Sequence, residues 1–309
     1  MTSSPLPITA AVARRPRGIL TVLLACVCWS TSGIFISLIS REGGISPVGI
    51  AFWRDLLTFV VLLLGILALR PSLLRIERRD LLWLALMGSF SIGLFHVVWN
   101  ISILVNGVAV STVLQSNAPM VVTIVAWFLW REPLTWRKII AIILALLGTA
   151  LISRIDNILS QQIAGQAFLL GLSTALLYAT MSLFGKKLAG SYSPWTILVY
   201  IFGFAALTLL PFQLVDGFTT PHSTAGVLYF IGMVLFTTIG GFALYTLSLR
   251  TLQASVASIV AIAEVPFASI VSYIVIAERL DLWQITGGLL VIAGVLLLSW
   301  PSKRPQDSP

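Results

Sequence analysis

NAPMVVTIVAWFLWREPLTWRKIIAIILALLGTALIS, from Asn117 to Ser153, and EVPFASIVSYIVIAERLDLWQITGGLLVIAGVLLLS, from Glu264 to Ser299, are versions of one another. Pro119 aligns with Pro266; after a one-residue gap Glu132 aligns with Glu278, Gly148 with Gly294 and Ser153 with Ser299. Upstream, a register of 147 residues runs without a gap through Ser111/Ser258, Phe95/Phe242, Gly93/Gly240 and Ile92/Ile239 to Ser46-Pro47 and Ser193-Pro194. Both copies are strongly apolar. Duplication inside a membrane is the usual architecture of carriers, whose similar halves rock about a site placed between them.

Composition supports the membrane reading. The 309 residues are 58% apolar and 10% charged, against roughly half and a quarter in ordinary soluble domains. The apolar residues arrive in ten blocks, at about 18–40, 48–69, 81–103, 107–130, 137–153, 163–185, 195–215, 225–249, 254–277 and 282–300. Most approach the ~20 residues that cross a hydrocarbon core, and none shows the alternation of a β-barrel strand. The fold class expected is an all-α polytopic membrane protein with ten transmembrane helices. The first block follows Arg14, Arg15 and Arg17 but has no small-residue cleavage pattern, so it reads as a retained helix rather than a secretory signal.

The net charge of +8 could suggest nucleic acid, but its distribution points to orientation instead. With the N-terminus inside, 15 of the 19 Lys and Arg fall in cytoplasmic segments. Arg41, Arg154 and Arg279 fall outside, and Arg54 lies within a helix. Such an inside excess predicts that both termini are cytoplasmic. The only cysteines, Cys26 and Cys28, sit two apart on the first helix and diverge by roughly 200°, so they cannot bridge or share a metal. They read as small core residues.

Five helices per copy is an odd number, so the second copy starts on the opposite side of the membrane and the halves are inverted. The division expected is residues 1–153 for the first five helices and 154–309 for the last five, within the polar stretch Arg154–Gln162. At this point the chain resembles the drug/metabolite transporter superfamily, in its EamA-type members with ten helices and a duplicated domain. The resemblance covers nearly the whole chain. It rests on Trp29-Ser30, on Arg54 within AFWRDLLTF, and on the two Pro…Glu-Arg/Pro-Leu…Gly blocks. It implies a cytoplasmic-membrane carrier that exports amino acids, metabolites or drugs, and leaves the substrate open.

Polar groups retained in a bilayer usually face the bundle interior. Ser89, Gly93, His96 and Asn100 share a face of the third helix, with Trp99 beside it. Thr237, Gly241, Tyr245 and Ser248 do so in the eighth, and Ala257, Ala261, Glu264, Ala268 and Ser272 in the ninth. Trp29 in the first helix and Tyr178 in the sixth occupy matching places. Such stripes serve either close helix packing or a shared cavity; the bulky polar and aromatic members favour a cavity.

Glu264 is the sharpest single residue, a lone carboxyl at mid-helix two residues before Pro266. Its repeat partner is Asn117, two before Pro119, with Gln115 nearby. Prolines there are expected to kink the fourth and ninth helices and to free a carbonyl at membrane depth. Glu264 then reads either as a carrier of a proton or substrate ammonium, or as a structural carboxyl that is protonated or paired. Arg54 reads as a structural partner of Asp55 or Glu264, or as an anchor for a substrate carboxylate. His96 reads as a hydrogen-bonded core residue or as a proton relay.

No catalytic or metal-spaced constellation occurs, and no glycine-rich stretch has the lysine of a nucleotide loop. The expectation is therefore not an enzyme and no cofactor, but a secondary carrier working by alternating access on an ion gradient, with protons as a candidate. Its substrate-binding residues would be Glu264, His96, Asn100, Trp99, Asn117, Gln115, Tyr245, Trp29, Tyr178 and Arg54. The partners expected are a small-molecule substrate, most readily an amino acid or related metabolite, and the lipid bilayer; nucleic acid is not among them. The chain is compatible with a monomer or a homodimer. A cationic-drug exporter is the alternative within transporters, and a membrane-embedded enzyme or a non-transporting scaffold the alternatives outside them.

Overall fold

Serine followed by proline starts the second helix of each repeat. Ser46 Oγ accepts from the Gly49 amide at 2.9 Å before Pro47–Leu69. Ser193 Oγ accepts from the Thr196 amide at 3.1 Å before Pro194–Asp216. The cap satisfies a free helical N–H, and proline fits the first turn because its own N–H would be orphaned there. These equivalent starts lie 147 residues apart, as the register predicts.

A computed structural model describes residues 8–43, 45–152, 165–218, 220, 223–276 and 281–300. It is an all-α membrane protein of ten helices in two inverted repeats. The first helix is Ile8–Ser30, continued by Ser32–Gly43 after a break at Thr31. The third runs as Arg78–Leu86 and a π-helical stretch, Met87–Leu94, into Phe95–Gln115; Ala118–Trp130 completes the fourth, and Trp136–Ile152 is the fifth. Gly165–Ala189 and Pro194–Asp216 are the sixth and seventh. The eighth repeats the π interruption: Thr224–Gly232, Met233–Gly240, Gly241–Ser248. Ala254–Ala261 and Glu264–Ile276 form the ninth, and Leu282–Ser299 the tenth.

Two features differ from the block pattern. Helical backbone runs without a gap from Phe95 to Gln115, across the expected loop between blocks 81–103 and 107–130. Yet Ser102 Oγ and Ser111 Oγ lie 2.8 Å apart. Nine residues of straight helix would separate them by about 13.5 Å, so the chain reverses between them. The second difference concerns the two prolines. The fourth and ninth helices are interrupted just before Pro119 and Pro266, at Ser116-Asn117 and Ile262-Ala263.

Among the described residues seven helical runs are individually long and apolar enough to cross a membrane, with Ala118–Trp130 and Leu282–Leu298 as shorter apolar helices. The fifth helix, Trp136–Ile152, has 17 residues and carries Arg137 and Lys138 in its first turn.

The halves meet at the fifth and tenth helices. A Cβ built on Gly148 would lie 2.5 Å from the Gly287 carbonyl oxygen, and one on Gly287 would lie 2.5 Å from that of Gly148. The repeat-related contact also exists, Gly294 against the Ala141 carbonyl at 3.1 Å. Small residues let these backbones touch, the common device for close helix contact in lipid.

Glu132 ties the fourth helix to the ninth. Arg131 adopts a left-handed φ of 51°, which ends the fourth helix and turns the chain. The buried Glu132 carboxylate then accepts from the Ala254 amide at 3.0 Å, from Ser255 Oγ, and from Lys138 Nζ at 3.4 Å. From the turn after the fourth helix it thus caps the N-terminus of Ala254–Ala261, whose own N-cap Gln253 provides no side-chain cap among the described residues. At the same reversal Lys186 Nζ donates to the carbonyls of Leu249, at 2.8 Å, and Leu252. Nearby, Tyr192 donates to Asp80 Oδ2 at 2.6 Å. Burial and that bond raise its hydroxyl above the ordinary pKa. Glu278, the repeat partner of Glu132, lies outside the described residues.

Candidate functional site

Each interrupted helix presents one polar side chain at the start of its second segment. Asn117 stands at the N-cap of Ala118–Trp130, and Glu264 is the first residue of Glu264–Ile276. Pro119 and Pro266 are buried in the first turns that follow, where a missing N–H costs nothing. Asn117 bends back on its own chain, Nδ2 donating to the Leu114 carbonyl at 2.9 Å. Glu264 is half-buried, and among the described residues no hydrogen bond or ion pair to its carboxyl occurs. Its electrostatic neighbours are Cys26 and Tyr178, from the first and sixth helices, so it faces the bundle interior.

Two aromatic pairs lie in the bundle interior, one of them through Tyr178 beside this carboxyl, and each crosses between the repeats. Trp29 packs edge-on against Phe242 with centroids 5.2 Å apart, and Tyr178 packs against Phe95 at 5.4 Å. Trp29 and Tyr178 are repeat partners, as are Phe95 and Phe242, so one contact is built twice with the halves exchanged. Hydroxyls also pair across the halves, one residue off the strict register: Thr31 meets Thr237 at 3.1 Å, and Thr180 meets Ser91 at 2.6 Å.

The decoration differs between halves. Tyr245 is buried, 5.2 Å from Trp29, with its hydroxyl 2.6 Å from Ser182 Oγ. Trp29 Nε1 is buried without an acceptor and lies over Gly241, whose hydrogen leaves the room: a Cβ there would approach Nε1 to 2.5 Å. Gln115 is half-buried at the end of its helix, with Oε1 unpaired. Trp99 stacks on Phe95 at 6.1 Å. The Asn100 side chain lies outside the described residues.

Arg54 and His96 come together, but on each other. The Arg54 guanidinium contacts the His96 ring; His96 Nδ1 is 3.1 Å from Asp55 Oδ2, and Arg54 Nε is 3.6 Å from Asp55 Oδ1. All three side chains are buried. An adjacent anion and cation with an imidazole between them form a compensated cluster. The repeat-related positions Ile201, Phe202 and Ala243 are apolar, so the cluster is unique to the first half. Phe95 touches both His96 and Tyr178 and links it to the aromatic wall.

Several residues escaped the sequence reading. Phe95 and Phe242 were visible as a repeat pair, but nothing in their spacing showed the exchange of partners. The alignment of Glu132 with Glu278 did signal a shared role, without revealing that it is a helix cap. Cys26, read as a core residue, is fully buried, yet its thiol donates to the carbonyls of Ala261 at 3.5 Å and Val260 at 3.8 Å.

A family model described as the EamA-like transporter family matches residues 16–154 and again 165–300. The chain belongs to this family. As an EamA-like protein it is a multi-pass membrane transporter and not an enzyme. It is 27% identical over 292 residues to a Salmonella typhimurium protein called uncharacterized inner membrane transporter YicL, covering 93% of this chain and 97% of that one. An uncharacterized transporter of Archaeoglobus fulgidus is 31% identical over 265 residues, covering 82% and 89%. A solved crystal structure superposes with a TM-score of 0.76 over 91% of this chain and 96% of the other, at 14% identity. At that identity the likeness speaks for the fold alone.

Proposed function

We propose that this EamA-like transporter is a secondary active exporter of an amino acid or a related small amine across the cytoplasmic membrane, working by alternating access. The observation that carries the reading is Glu264, a half-buried carboxyl without a partner among the described residues, on a broken helix and beside Tyr178. A carboxyl at that depth is expensive unless protonated or partnered. A substrate ammonium or a transported proton supplies what the protein does not. Trp29 and Tyr178 form apolar walls that also favour a cation over their ring faces, with Phe95 and Phe242 backing them.

In this reading Asn117, Gln115, Trp99 and Tyr245 complete the polar and aromatic lining, and Arg54 and His96 flank it as a compensated pair with Asp55. The two repeats divide at residues 153 and 154 and move against each other. Both termini are cytoplasmic, a reading supported by the inside excess of Lys and Arg, while the inner-membrane name of the Salmonella relative supports the cytoplasmic membrane as the location.

The test is a substrate panel in reconstituted vesicles with an imposed pH gradient. Gradient-driven movement of one or more amino acids is the expected result. Movement of lipophilic cations alone would replace it with a cationic-drug exporter, which the same carboxyl and aromatic walls would serve. Movement of neither class would overturn both.

A further inference from the structure

We infer that Cys26 is a positioning residue that frees the Glu264 carboxyl for the transport path, by taking over a capping duty that Asn117 performs in the other half.

The argument starts from what a broken helix leaves unpaired. Before the break in the ninth helix, Ala261 O would normally accept from the Val265 N–H four residues on. That N–H instead donates to Ile262 O at 3.0 Å, and Pro266 has no N–H to restore the ladder. Ala261 is buried, so water does not replace the bond, and a buried carbonyl needs a donor. The Cys26 thiol supplies it from the first helix, at 3.5 Å.

The repeat register places Leu114 where Ala261 stands. Its carbonyl accepts from the Asn117 amide at 3.3 Å, and Asn117 Nδ2 reaches back to it as well, at 2.9 Å. The equivalent of Asn117 is Glu264, and an ionised carboxylate has no proton to donate. With Trp29 matched to Tyr178, the equivalent of Cys26 in the sixth helix is Ala175, which carries no donor at all. Donor and non-donor are thus exchanged between the halves. Where the side chain after the break caps its own helix, the facing helix has alanine; where that side chain is a carboxyl, the facing helix has cysteine.

Without the thiol, the nearest group able to satisfy Ala261 O would be the protonated carboxyl of Glu264 itself, folded back as Asn117 is. Cys26 removes that demand. The inference rests on the reading that Glu264 faces the transport path, but its test uses no substrate, so failure of either can be told apart.

The test measures labelling of Glu264 by dicyclohexylcarbodiimide, which attacks protonated carboxyls in apolar surroundings, read by peptide mass spectrometry on purified full-length protein. Cys26→Ala should slow labelling several-fold, because the carboxyl is drawn into the cap, and should lower Tm. Cys26→Ser, which keeps a donor, should label at the parental rate. Adding Glu264→Asn to Cys26→Ala, which recreates the arrangement of the first half, should regain the lost Tm. Parental labelling in Cys26→Ala, equal slowing in Cys26→Ser, or no recovery of Tm in the double variant would each overturn the assignment.

Discussion

At the scale of residues, Arg54 and Glu264 are both charged groups set within apolar helices, and their surroundings separate them. Arg54 is held by Asp55 and His96, all three buried. Removing one partner of a buried pair strands the other, at roughly 3 kcal/mol or more. Arg54→Leu should therefore lower stability by about that amount, read as loss of Tm in detergent, and Arg54→Leu/Asp55→Leu should recover part of it. A substrate anchor would behave differently: Arg54→Leu would keep its Tm and lose only affinity. The prominence of both charges was legible in the sequence, since a charge within an apolar block is conspicuous. The company they keep was not. His96 lies about forty residues from Arg54, and whether an arginine meets it, Glu264 or water depends on helix rotation, which spacing within one helix does not encode.

At the scale of elements, the fourth and ninth helices matter most, and their ends are as telling as their breaks. Glu132 caps the Ala254 amide, binds Ser255 and neutralises Lys138. Glu132→Ala should orphan the buried Ala254 N–H, a loss of roughly 1–3 kcal/mol, and thermal unfolding should show it. Glu132→Gln, which keeps an acceptor for that N–H, should retain most of the stability; an equal loss in both variants would contradict the cap. The proline pair Pro119/Pro266 marked the right two helices in the sequence, but a proline pattern does not distinguish a bend from an interruption. The interruption depends on which neighbour accepts the freed carbonyl, and Cys26 lies 235 residues from the carbonyl of Ala261. The reversal between Ser102 and Ser111 was legible as a gap between apolar blocks even though the backbone there is helical throughout.

At the scale of the whole molecule, the register of 147 residues is the organising fact. The serine caps follow it, the π-helical interruptions and helix breaks fall within one residue of it, and the exchanged aromatic pairs combine it with a spacing of 149 between the first and sixth helices. The orientation can be read by reporter fusions: the Arg70–Asp80 and Glu132–Lys138 segments should both report cytoplasmic, and a periplasmic report from either would reverse the topology. What the repeat does not dictate is where the halves differ. Glu264 against Asn117, Cys26 against Ala175, and Arg54 against Ile201 are departures from symmetry, and the chemistry is concentrated in them. The central claim is that the carboxyl of Glu264 takes part in transport, and Glu264→Gln tests it most directly, because the change keeps the shape and hydrogen bonding while removing the charge and the titration. In reconstituted vesicles with an imposed pH gradient, gradient-driven transport should be abolished while expression and Tm stay near the parental values. Transport at the parental rate in Glu264→Gln would contradict the account.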